Sequence, residues 1–382
     1  VARRKLLFLT GSRGEWGYIR PILRLCHDHA GLDYELVVTN MHLLPSFGES
    51  VKEIEKDGFE VHHRLYMALD GYNHVTTTKS MGTLLNSLAD RLASSKPDWI
   101  VLAGDRAEQL MGAIAGAYCY VPVAHIQAGE LSGNIDGMTR HAIGKLAHLH
   151  FASNADAADR LVRLGEEPFR VHHVGAPQVD ELVQGLFSSR AEFEARHNLR
   201  LDRPFLLVAQ HPVTEEFAQA SSQIEATMVA LGRIAMRKIV ILPNNDAGSL
   251  LVRQGIEQYR TTDALAFANL PRQDYLCLMQ HAACMVGNSS SGLLEAPSFA
   301  LPAVNIGRRQ HQRVQGINVI NAPFDADAIE AAIRQALNPA FKARLEAECE
   351  NPYGDGRSSE RILKILAEMP ITDQLLVKNL TY

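Results

Sequence analysis

Short apolar runs alternate along the chain with longer stretches in which apolar residues recur at helical spacing. The runs KLLFLTG, DYELVVTN, FEVHHRLYM, PDWIVLAGD, VPVAHIQAG, LHFASN and RVHHVGAP read as extended segments. Between them GYIRPILRLCHDH, FGESVKEIEKDG, KSMGTLLNSLADRLASSK, residues 106–119, residues 136–148 and ADAADRLVRLG read as helices. A second series begins near residue 200: RPFLLVAQHP, RKIVILPNND, ALAFANL, ACMVGNSSSG and PAVNIG as strands, with EEFAQASSQIEATMVALGRI, GSLLVRQGIEQY and RQDYLCLMQHA as helices between them. Strand and helix in strict alternation predict βαβ units and parallel sheets. The span 177–203 is charged and helical without a strand, so the domain junction is placed there, with domains 1–180 and 181–382. The expected fold class is α/β, two doubly wound Rossmann-like domains. SSERILKILAEM near the C-terminus reads as an amphipathic helix followed by a polar tail.

The length of 382 residues agrees with two domains of about 150–200 residues each. Hydrophobic residues at 46% and charged residues at 21% are ordinary for a globular protein. A net charge of −5 with scattered basic residues argues against nucleic acid as a partner. No apolar stretch approaches the ~18 residues that a membrane span needs. The apolar run behind Arg3, Arg4 and Lys5 is short and reads as a buried first strand rather than a targeting segment. Five cysteines at 26, 119, 277, 284 and 349 form no CxxC pattern and fit packed thiols in a reducing cytoplasm.

Ligands of doubly wound sheets bind beyond the carboxyl ends of the strands, which directs attention to the polar groups there. The first strand runs into TGSRGEWGY, where Gly11 and Gly14 allow a tight turn, the next helix offers free N–H groups to an anion, and Arg13 adds charge. The turn lacks the full G-x-G-x-x-G dinucleotide fingerprint, since position 16 is Trp16. Asp105, Arg106 and Glu108 follow the PDWIVLAGD strand, beside Gln127 and Glu130 at the end of the next one. Two carboxylates in one partly desolvated cleft have their pKa values pushed apart, which supplies a base and an acid; a helix-capping role for Asp105 is the plainer alternative. Asp136, Arg140 and His141 follow on a helix, with Asp136 and Arg140 on one face. His148 and His150 bracket a strand start, and no third ligand accompanies them, so no metal site is assigned. In the second half His211 ends a strand before Pro212, and Asn245 lies in the polar turn PNNDAGS. Asn288, Ser289, Ser290, Ser291 and Gly292 lead into a helix carrying Glu295, a cradle of N–H and hydroxyl groups suited to a diphosphate. Glu295 is placed to take ribose hydroxyls, and Arg309 and Arg313 to neutralise phosphate charge.

TGSRGEWGYIRPIL, MHLLPSFGESVKEIEKDGF, GDRAE, HIQAGELSGNID, RHAIGKLAHLHF, QHPVTEE, PNNDAGS, VGNSSSGLLEAPSF and NPYGDG together resemble the UDP-N-acetylglucosamine 2-epimerase family, in particular its hydrolysing branch, over roughly residues 5–365. The resemblance implies a GT-B-like fold with the site in an interdomain cleft, the catalytic and sugar side on the first domain, UDP on the second, and a C-terminal helix from about 358 packing back on the first domain. It implies catalytic roles for Asp105, Asp136 and His211, with Gln127 where the family often has Glu, and Glu130 as a further carboxylate. It implies nucleotide contacts for Arg13, Arg106, Ser289, Ser290, Glu295 and Arg309, and a uracil wall that includes Leu270. The implied reaction is elimination of UDP to a 2-acetamidoglucal, then hydration with the C2 proton delivered from the opposite face, giving an N-acetylmannosamine-type free sugar of the sialic acid route. No metal or other cofactor is required. Localisation is expected to be cytoplasmic and the assembly a homodimer or homotetramer. Three other readings stand beside it: the same chemistry on UDP-2,4-diacetamido-2,4,6-trideoxyglucose, a GT-B glycosyltransferase, and a non-catalytic nucleotide-sugar sensor.

Overall fold

The computed structural model describes residues 3–71, 73–259, 263–379 and 381. The chain divides into two compact units, one of Val1–Leu131, Ile135–Glu181 and Tyr353–Tyr382, the other of Ser132–Asn134 and Leu182–Pro352.

The first unit is built on seven parallel strands: β1 (Arg4–Thr10), β2 (Leu32–Thr39), β3 (His63–Leu65), β4 (Trp99–Ala103), β5 (Val123–Ala128), β6 (Leu149–Ala152) and β7 (Val171–His173), in the order β3-β2-β1-β4-β5-β6-β7. Its central strands are buried along their length because helices cover both faces. Alternation along β1 divides its side chains between two apolar layers. Leu6 and Phe8 pack with Trp16, Ile19 and Ile362 on one face. Leu7 and Leu9 pack with Leu84, Leu88 and Met111 on the other. Ile362 belongs to the helix Ser358–Glu368, which lies against the helix Arg13–His27. Its N-terminus is capped by Asp180, whose carboxylate accepts the N–H of Ser358 at 3.0 Å and of Ser359 at 2.6 Å.

The second unit repeats the plan with six parallel strands: β8 (Phe205–Ala209), β9 (Arg237–Ile241), β10 (Ala264–Phe267), β11 (Cys284–Gly287), β12 (Ala303–Ile306) and β13 (Val319–Ala322), in the order β10-β9-β8-β11-β12-β13. Leu206 and Val208 of β8 face one apolar layer, Phe205, Leu207 and Ala209 the other. β13 and the helices Ala326–Ala336 and Pro339–Glu348 have no counterpart among the elements expected from sequence. The strand order reverses between β1 and β4 in one sheet and between β8 and β11 in the other. Such switch points open crevices beyond the strand ends. Among the described residues no helix is long and apolar enough to cross a membrane.

Candidate functional site

At the switch point of the first sheet the turn after β1 departs from the expectation of free N–H groups. Ser12 caps the helix, and Glu15 closes a capping box. The Glu15 carboxylate accepts from the Gly11 N–H at 2.5 Å and the Ser12 N–H at 3.1 Å, so these two backbone donors are engaged within the turn. Burial, reinforced by the nearby Glu108, holds the Glu15 carboxyl well above the usual range. At Gly11 a Cβ would lie 2.4 Å from Glu108 Oε1, so a side chain here would have to displace the Glu108 carboxylate. Arg106 donates to the same Glu108 oxygen at 3.2 Å, and Asn40 also donates to it at 3.2 Å.

Beyond β4, Asp105 accepts from Arg140 of the helix Ile135–Leu146 in a charge-assisted bond. The Arg140 side chain is 1% exposed and the Asp105 side chain 18%, so one partner is sequestered and the other only partly accessible. The sequence placed Arg140 on a face with Asp136; the tertiary fold brings it to Asp105. The turn ahead of Asp105 is fixed by His125, whose Nε2 lies 2.6 Å from the Gly104 carbonyl oxygen. Burial pushes this imidazole down to about 3, so it is neutral with Nε2–H as donor.

Gln127 occupies a β-bulge. Ile126 pairs with Phe151 and Ala128 with Ala152, which leaves Gln127 as the extra residue, at φ 63°. A left-handed backbone at a non-glycine residue carries strain, and such strain clusters at functional sites. Its side chain is buried, its Nε2 donates to Gln178 Oε1 at 3.3 Å, and its Oε1 has no hydrogen-bond partner among the described residues. Gln178 begins the helix after β7, and nothing in its sequence surroundings singled it out. Glu130 is buried too and accepts from Ser153 Oγ and from Asn154 Nδ2 at the end of β6. Asp136 and His141, on the first turns of the Ile135–Leu146 helix, are half-buried, and burial lowers the His141 pKa.

At the second switch point His211 and Asn288 hold each other. The His211 N–H donates to Asn288 Oδ1 at 2.7 Å, and Asn288 Nδ2 donates to the His211 carbonyl at 2.9 Å. The Asn244 N–H donates to His211 Nδ1 at 3.2 Å. Nδ1 is thus an acceptor, and the neutral imidazole carries its proton on Nε2. Gly287, ahead of Asn288, adopts φ +135°, and a Cβ there would lie 2.1 Å from the Ala209 carbonyl oxygen, so the position is open to glycine alone. Arg309 and Gln310 both donate to the Asn288 carbonyl, at 3.3 and 3.0 Å. Ser289, Ser290 and Ser291 are half-buried, and Gly292 is buried. Glu295 forms an ion pair with Arg272 at 2.6 Å, and Leu270 is buried in the apolar core. Arg13 and Asn245 are half-buried, in the first and second units respectively.

The first unit therefore gathers Asp105, Arg106, Gln127, Glu130, Asp136, Arg140 and His141 around the ends of β4 and β5, and the second gathers His211, Asn288, the serines and Arg309 around β8 and β11. His148 and His150 serve the framework: His148 Nδ1 accepts from the Val123 N–H at 3.1 Å, and His150 Nε2 bonds Glu166 at 3.0 Å. No group of three or more metal-ligating side chains occurs among the described residues.

The sequence pattern of the family described as UDP-N-acetylglucosamine 2-epimerase matches residues 24–367. The chain is 35% identical over 380 residues to the UDP-N,N'-diacetylbacillosamine 2-epimerase (hydrolyzing) of Legionella pneumophila, covering 99% of this chain and 100% of that one. It is 31% identical to the UDP-N-acetylglucosamine 2-epimerase of Neisseria meningitidis serogroup B, over 95% of each. In fold it resembles a crystal structure of UDP-GlcNAc 2-epimerase from Neisseria meningitidis bound to UDP-GlcNAc, with a TM-score of 0.80 at 18% identity, over 95% of this chain and 99% of that one. With a match of this extent and identity along nearly its whole length, the chain belongs to the UDP-N-acetylglucosamine 2-epimerase family.

Proposed function

We propose that this protein is a hydrolysing UDP-sugar 2-epimerase, converting a UDP-2-acetamido sugar and water to the free 2-epimer and UDP. The observation that carries the reading is the strand-end set of the first unit, the Asp105–Arg140 pair beside the strained Gln127, in a chain 35% identical to a relative named as hydrolysing. In the first step a carboxylate takes the C2 proton while the C1–O bond breaks and its electron pair leaves with UDP, giving a 2-acetamidoglucal. In the second, water adds its oxygen to C1 and C2 is reprotonated from the opposite face.

Asp105 is assigned to proton transfer at C2, with Arg140 fixing the position of its carboxylate. Asp136 is the second acid–base group. His211 presents an Nε2–H donor, which suits stabilising the departing diphosphate rather than abstracting a proton. Gln127 and Glu130 are assigned to orientation: Gln127 has no ionisable group, and Glu130 is committed to Ser153 and Asn154. Arg13, Arg106, Arg309 and the serine turn are assigned to the UDP.

Two substrates compete. A UDP-2,4-diacetamido-2,4,6-trideoxy sugar is favoured by the 35% identity to the relative named for diacetylbacillosamine, against 31% for one named for UDP-N-acetylglucosamine. Proton NMR in D2O with each substrate tests the reading. Free UDP with a manno-configured sugar deuterated at C2 supports it, and the faster substrate names the sugar. Epimerised UDP-sugar without UDP release overturns the hydrolytic step; tight binding with no reaction of either substrate overturns the enzyme. A cytoplasmic location and an assembly of two or four copies complete the proposal, the latter checked by light scattering.

A further inference from the structure

The helix Ile135–Leu146 carries Asp136, Arg140 and His141 at one end and has its carbonyl-rich end held by the far terminus of the chain. A helix leaves its last four carbonyls without intrahelical partners. The Ile143 carbonyl is taken by the Ala147 N–H at 2.8 Å. The next two, of Gly144 and Lys145, accept from Lys378 Nζ at 2.5 and 3.1 Å. Glu166 Oε2 lies 2.7 Å from the same nitrogen, so three acceptors meet the three N–H bonds of one ammonium group. A cation at this end of a helix also complements the helix dipole.

The segment that delivers Lys378 is itself fastened. Arg170, fully buried, donates to the carbonyls of Leu375 at 2.7 Å, Gln374 at 2.8 Å and Val377 at 3.2 Å, and pairs with Glu167 at 2.7 Å. Leu375 is buried in the apolar layer of the first unit, and Arg4 donates to the carbonyls of Leu366 and Met369 at 2.6 and 2.9 Å. Five ties thus hold residues 366–377 to the first unit, more than a surface tail needs, and they end at the catalytic helix.

We propose that Lys378 is a positioning residue: through the carbonyl end of the Ile135–Leu146 helix it fixes where the opposite half of that helix presents Asp136 and Arg140. The functional half of this inference rests on the epimerase reading; the positional half does not. The charged groups facing Lys378 are Glu166 and Lys145, which pair with each other at 3.0 Å, then Arg170, His148 and His150. Burial outweighs Glu166 and pushes the ammonium down to about 8, while burial also holds His148 and His150 neutral, at about 4 each. Above about pH 8 Lys378 loses its charge and one of its three donors, and the cap weakens.

The test compares the full chain with Lys378→Met and Lys378→Arg. Amide hydrogen exchange over residues 140–147 is read without substrate. Lys378→Met is expected to raise exchange there about tenfold, the scale of a lost charge-assisted bond, and Lys378→Arg to restore most of the protection. In turnover, Lys378→Met is expected to lower kcat about tenfold with KM little changed. Wild type is expected to lose kcat above about pH 8, with Lys378→Arg holding it to higher pH because arginine stays protonated. Unchanged exchange in Lys378→Met overturns the proposal whatever the activity. Raised exchange with unaltered kcat and pH profile overturns the positioning role and leaves a plain cap. A wild type without turnover defeats the epimerase reading, while the exchange result still decides whether the tail holds the helix.

Discussion

Asp105 and Arg140 are thirty-five positions apart, and their pairing gives the first unit its sharpest chemical feature. Asp105→Asn keeps the shape and removes the charge, so UDP-sugar binding is expected to survive while kcat falls about 10²- to 10⁴-fold; calorimetric titration beside turnover checks both halves, and unchanged turnover would remove Asp105 from the mechanism. Gln127 tests the strained bulge. In Gln127→Glu the new carboxyl is buried beside Gln178, so its pKa is pushed above the usual carboxylate range. The kcat profile is then expected to gain an ionisation that wild type lacks, and an unaltered profile would place residue 127 away from the reaction. Residue types and strand-end positions were legible from sequence for Asp105, Gln127 and His211. The partners were not: Gln178 arrives from another helix with no local signature, and the motifs that hold His125 and Asn244 do not say which groups they meet.

At the scale of elements, the turn joining β11 to the serine loop depends on a conformation and a clearance that only glycine meets. Gly287→Ala is expected to destabilise the second unit by about 3 kcal/mol, from positive φ and overlap with the Ala209 carbonyl, read by chemical denaturation. Asn288→Ala removes both bonds that hold the His211 backbone and is expected to lower kcat about tenfold with KM less affected, the mark of a misplaced rather than missing group. The β1 turn teaches the opposite lesson. Its glycines and Arg13 suggest an anion cradle, and the residue three past the cap is a glutamate that takes the Gly11 and Ser12 N–H groups within the turn. That signal, Ser12 followed by Glu15, was present in the sequence.

For the whole molecule, acid sensitivity is unevenly distributed. Burial pushes His42 and His125 down to about 3, and His148 and His150 to about 4, and all four lie in the first unit. Unfolding lets each take up a proton near its ordinary pKa of about 6.5, whereas the folded chain resists until pH 3–4. The unfolded state thus binds more protons in that window, and stability falls as pH drops below about 6.5. Glu166, held down to about 2 mainly by its His150 and Lys378 bonds against the cost of burial, extends the loss below the ordinary carboxylate range. Glu15, Asp57 and Asp180, raised by burial, oppose it with fewer groups. Trp16 and Trp99, the chain's two tryptophans, both lie in the first unit. Between pH 7 and pH 5 the melting midpoint followed by tryptophan fluorescence is expected to drop more than that followed by circular dichroism of the whole chain. Equal shifts would contradict the uneven distribution.

The sequence by itself determined the α/β alternation, two parallel sheets, and the strand ends that carry the polar groups, because periodicity and turn chemistry are local properties. It also carried the family, through motifs whose spacing survives without a structure. Only the tertiary structure decided which distant groups meet: Arg140 with Asp105, Glu295 with Arg272, and Lys378 with the helix Ile135–Leu146. Pairing, burial and the resulting protonation states depend on contacts between residues far apart in the chain, and no local pattern encodes those.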